Sequence, residues 1–83
     1  MDTQNLSHMA NRIGQFFESY SDRTEALDGI ATHILKFWDP RMRRLLLLQL
    51  DAASDPGTPC TLSPLVADAL RAHRQRLTPA DSA

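Results

Sequence analysis

Leu6, Met9, Ala10, Ile13, Phe16, Phe17 and Tyr20 recur at the i, i+3, i+4, i+7 spacing of one helical face. Projected on a helical wheel they share a stripe roughly 120° wide, with His8, Asn11, Gln15 and Glu18 opposite. The pattern predicts an amphipathic helix over residues 3–20, capped by Asp2 or Thr3. Ser19 to Asp22 breaks it. Asp22 and Glu25 have the form of a capping box, so a second helix is expected over 22–38. Its stripe is Leu27, Ile30, Ala31, Ile34, Leu35 and Trp38, with Phe37 at the edge and Asp28, Thr32 and Lys36 facing away.

Pro40 disfavours helical geometry at Asp39, and Asp39-Pro40 is also a good cap-then-first-residue pair. A third helix is therefore expected over 40–53, turning away from the second at an elbow. Residues 54–61 (Ser-Asp-Pro-Gly-Thr-Pro-Cys-Thr) read as a surface loop, and Ser63-Pro64 repeats the start signal for a fourth helix over 63–77. Residues 78–83 read as a flexible tail. No segment alternates with a period of two. The expectation is an all-α fold, a compact bundle of four short helices forming a single domain over 1–83.

The third helix carries more apolar surface than one face can hold. With Met42 as reference, Leu45, Leu46, Gln49, Leu50 and Ala53 fall within roughly 80° on the wheel. Leu47 and Leu48 fall outside, flanking Arg44. Two readings stay open: one of these leucines packs on the loop or the fourth helix, or both face a partner. Arg41, Arg43 and Arg44 in the first turn oppose the helix dipole, with Asp39 offsetting part of the cost. They are either a solvated charge run or a set of planar forks for a partner's carboxylates and carbonyls. Arg71, Arg74 and Arg76, in the last turns of the fourth helix, are where the dipole favours cations. Trp38, the single tryptophan, is expected in the core with an edge toward an interface. The candidate partner interface is thus Trp38, Arg41, Arg43, Arg44, Leu47 and Leu48.

Composition narrows the possible functions. One domain of 83 residues has a small core and usually leans on disulfides, a metal or a partner. The single cysteine, Cys60, cannot form an intrachain disulfide or a Cys-based metal cage. His8, His33 and His73 make no metal-binding pair by spacing; His73 reads as a hydrogen-bonded, half-buried residue. Asp22, Glu25 and Asp39 are already accounted for as caps, and Gly14, Gly29 and Gly57 form no phosphate-binding loop. No catalytic site, cofactor site or metal site is expected. Nine Lys+Arg against ten Asp+Glu give a net charge of −1, without the basic excess of a nucleic-acid binder. Neither a signal peptide nor a membrane span is read, so a cytoplasmic chain is expected.

Three runs resemble a known family. Met9 to Phe17 (MANRIGQFF), Gly29 to Arg43 (GIATHILKFWDPRMR) and Leu62 to Leu70 (LSPLVADAL) are similar to the delta subunit of soluble NAD-dependent, molybdenum-containing formate dehydrogenases. The resemblance spans about residues 6–77; its most specific part is the FWDPRMR elbow, and the loop around Cys60 looks longer than the family's. It implies membership of a complex in which a large subunit holds the molybdenum cofactor and iron–sulfur clusters, and another holds flavin and the NAD site. The delta subunit would carry no cofactor, bind the large catalytic subunit and support assembly or stability. Three rivals remain: a cofactor-insertion chaperone that leaves after maturation, a free-standing helical regulator binding DNA through a helix-turn-helix-like elbow, and a minimal enzyme using Cys60.

Overall fold

A computed structural model describes residues 3–52 and 61–79. It contains α1 (Thr3–Phe17), α2 (Arg23–Phe37), α3 (Pro40–Ala52), α4 (Pro64–Ala72) and the single turn α5 (Arg74–Leu77). There is no strand among the described residues. The all-helical expectation holds, with four helices of more than one turn. The cap expected at Asp2, the end of the third helix at Ala53 and nearly all of the 54–61 loop lie outside the described residues.

The start signals at Asp22, Asp39 and Ser63 are made as hydrogen bonds, although the Glu25 side chain adds no return bond of a capping box among the described residues. Asp22 Oδ1 accepts the Thr24 N–H at 2.9 Å, and Asp39 Oδ1 accepts the Met42 N–H at 2.9 Å. Ser63 Oγ accepts from Val66 N–H at 3.4 Å. Each satisfies a donor that a helix cannot pair internally. Trp38 closes α2 through its own N–H to Ile34 O, and its extended backbone (φ −101°, ψ 134°) ends the helix.

Two boundaries differ from the sequence reading. α1 stops at Phe17, not Tyr20, because Tyr20 N–H bonds Phe17 O at 3.1 Å in a turn leading to the Asp22 cap. The fourth helix breaks at His73 (φ −117°, ψ 27°), and α5 restarts from it. His73 is half-buried as expected, its Nδ1 lying 3.3 Å from Arg76 Nη1.

α2 packs against α1, α4 and α5, while α3 crosses α1 and meets α4 and α5. The core comprises Leu6 and Ala10 of α1, Ile30, Ala31 and Ile34 of α2, Leu46, Leu47 and Leu50 of α3, and Val66, Ala69 and Leu70 of α4, closed by Trp38, Leu62 and Leu77. Asn11, expected on the polar face of the first helix, instead links α1 to the start of α4. Its Nδ2 donates to Thr61 O and its Oδ1 accepts from Ser63 N–H, both at 2.8 Å. The late arginines join helices: Arg74 makes two bonds to Asp51 at 2.7 and 2.8 Å. Arg76 reaches Asp28 at 2.8 Å and Thr32 at 2.9 Å on α2, and Asp68 bridges Arg23 and Arg71.

Gly14 is where α1 and α4 touch. A Cβ there would lie 2.6 Å from Val66 Cγ2, and Val66 is fully buried. Gly14→Ala gains about 1 kcal/mol of helix propensity but overpacks the contact at a cost of about 1–3 kcal/mol. Denaturant unfolding should show net destabilisation. Gly29→Ala should be milder, since the Phe17 ring it meets is only half-buried and can turn aside.

The Arg74 hydrogen bond holds the Asp51 carboxyl below its ordinary value of 3.8. A depressed folded-state value means that the pair's stabilisation is complete above the unfolded value and fades as pH falls toward the folded one. Asp51→Asn should therefore lose a constant increment of stability above about pH 5, and the gap to the unsubstituted chain should narrow below about pH 4. Equal pH profiles for the two proteins would remove this role for the pair.

Candidate partner-binding surface

The elbow and α3 carry all six residues expected at an interface, and the fold sends them to different places. Arg41 and Arg44 are exposed, and Leu48 is 57% exposed. These three sit at i, i+3 and i+7, one outward line along α3. Arg44 and Leu48 border a shallow depression of about 180 Å³ with Asp51, Arg74, Thr78 and Pro79.

Leu47 is only 5% exposed and belongs to the core, so of the two flanking leucines one packs inward and one outward. The whole helix is turned relative to the stripe expected from the sequence: Leu46, Leu47 and Leu50 face the core, while Leu45 and Met42 are partly buried at its margin. Arg43 lies on the inward side. It is half-buried, and its Nη1 donates to Leu77 O at 3.4 Å, a carbonyl at the end of α5. Its Nε has no hydrogen-bond partner among the described residues. A cation that opposes the dipole of its own helix thus meets the favourable end of another. Trp38 is 6% exposed, a core residue with a thin accessible edge.

That edge opens on a groove that the residue pattern did not single out. Met9, Arg12 and Ile13 of α1, His33 and Phe37 of α2, Trp38 and Met42 line a space of about 490 Å³. Phe37, read as the edge of a stripe, is 71% exposed. Met9 and Phe16 share one flank of the first helix's stripe, but nothing in the pattern says that Phe37 of the next helix stands beside Met9.

The chemistry of the described residues is sparse. No group of three His, Cys, Asp or Glu is placed to hold a metal among them, and no helix among them is long and apolar enough to cross a membrane. Cys60 lies outside the described residues. His8 and His33 are exposed, and the His33 ring sits 4.7 Å from that of Phe37. What the surface offers is apolar side chains beside basic ones that pair with no carboxylate among the described residues, an arrangement suited to binding protein.

No curated protein and no solved structure gives a significant match to the chain. One family model does, that of the NADH-dependant formate dehydrogenase delta subunit FdsD, over residues 5–70. The matched span takes in nearly all of α1, the whole of α2 and α3, the elbow and most of α4. With most of its 83 residues inside that match, the chain belongs to the formate dehydrogenase delta-subunit family.

Proposed function

We propose that this chain is a non-catalytic accessory subunit of an NAD-dependent formate dehydrogenase complex in the cytoplasm. It binds the large molybdenum-containing subunit and supports its assembly or stability, holding no cofactor itself. Family membership supplies the complex. The observation that carries the docking role is the outward line of Arg41, Arg44 and Leu48 on a helix whose opposite side is already in the core.

The physical work of that line is divided. Leu48 removes apolar area from water at about 25 cal/mol per Å². Arg41 and Arg44, whose forks can bond two acceptors at once, set orientation against carboxylates or carbonyls of the partner. Trp38, Leu47 and Arg43 act from behind: they fix the angle and rotation of α3 and so the direction in which the exposed three point.

Affinity purification of the chain from its native cell should recover the formate dehydrogenase subunits in constant ratio. Recovery only with an unmatured large subunit would replace this reading with the chaperone, and recovery with neither would refute both. Leu48→Asp and Arg44→Glu should each weaken retention by about tenfold, the effect of losing one strong interface residue, while circular dichroism of the isolated chain stays helical. Leu47 is no test of the face, because a carboxylate there would be buried in the core. Undiminished retention of both Leu48→Asp and Arg44→Glu would rule out this face.

A further inference from the structure

The core uses only part of the apolar stripe of α1. Leu6 and Ala10 are buried, whereas Met9 is 37% and Phe16 68% exposed on the neighbouring flank of the same helix. Across from Met9 stands Phe37, 71% exposed, with its ring tilted 45° against His33. Met9, Ile13, Phe37, Met42 and the Trp38 edge give the floor and walls of the 490 Å³ groove. Large apolar side chains gathered in one concave place on so small a surface mark a binding site.

The residues that line it include one cation and no carboxylate. That cation is Arg12, on a helix that contains no carboxylate. Asp39 is the acid at this end, and its Oδ1 is engaged by the Met42 N–H. We infer that the groove formed by α1 and the elbow holds an apolar segment of another subunit that is flanked by Asp or Glu. The apolar side chains enter between Met9 and Phe37, and a flanking acid meets Arg12.

A second copy of this chain fits the groove poorly. A two-fold contact would set Arg12 against its own equivalent. A head-to-tail contact would present Leu48, which is accompanied by Arg41 and Arg44 and by an Asp51 already bound to Arg74. The inference takes the identity of the complex from the accessory-subunit reading but uses a different face from the Arg41–Arg44–Leu48 line.

The test is photo-crosslinking in the intact purified complex, with benzoylphenylalanine in place of Phe37. The expected product joins this position to an apolar peptide of another subunit that carries Asp or Glu. Three outcomes overturn the inference: attachment to a second copy or to residues 53–60 or 80–83 of the same chain, attachment to a peptide without carboxylates, or no product in a complex that retains the chain. A paired variant, Met9→Asp with Phe37→Asp, changes two exposed positions and should weaken binding to the complex by about tenfold or more. Arg12→Glu should act in the same direction, and unchanged binding by both proteins overturns the groove. If the unsubstituted chain brings down no formate dehydrogenase, the accessory-subunit reading falls and this inference with it. If it does while the groove variants bind normally, the groove alone is wrong.

Discussion

Pro40 lacks a backbone N–H and its ring disfavours helical geometry at Asp39, so α2 cannot continue straight into α3. The turn so imposed organises the rest of the molecule. Trp38 goes extended and enters the core, Asp39 satisfies the Met42 N–H at the new helix start, and α3 is sent across α1 toward α4 and α5. The two outward surfaces exist because of that change of direction. Phe37 and Met42 stay on the α1 side of the elbow, while Arg44 and Leu48 emerge on the α5 side.

The core combines leucine, isoleucine and Trp38 with several small residues, and leaves large aromatic side chains outside. Ala10, Ala31, Ala69 and Val66 are fully enclosed, whereas Phe16 and Phe37 are among the most exposed large apolar residues. Small side chains let the helices approach closely, as the Gly14–Val66 contact shows, but each removes little area from water. Stability of an isolated domain of this size is therefore modest. The phenylalanines left outside represent burial that becomes available on association. A partner that covered the exposed face would therefore also stabilise the folded chain.

Local signals were legible in the sequence. Asp22, Asp39 and Ser63 act on donors two or three residues away, so their roles can be read from neighbours alone. The rotation of α3 was not legible, since leucine at 45, 46, 47, 48 and 50 gives the helix no clear apolar phase. Its phase is set from outside, by Leu77 O receiving Arg43 and by α1 and α4 meeting the buried leucines. Asn11 and Arg74 show the same limit: one looks like solvated polar surface and the other like a dipole partner. Each in fact joins segments separated by 50 and 23 positions. At the candidate surface, the sequence pointed to the elbow and α3 but could not tell the exposed Arg41, Arg44 and Leu48 from the inward Trp38, Arg43 and Leu47. It missed the groove, because Met9 and Phe37 come from different helices and only the fold brings them together.

The bidentate Arg74–Asp51 pair and the Asn11 bridge have a joint consequence. Asp51 lies just before residues 53–60 and Thr61 just after, and each is held to another helix by side-chain hydrogen bonds. The entry and exit of the intervening stretch are fixed by groups that do not belong to it. Lengthening a tethered connection costs little, because closure entropy grows only with the logarithm of its length. The end of α3 and the start of α4 thus keep their places through α5 and α1, so a few residues added between them should leave both helices as they are.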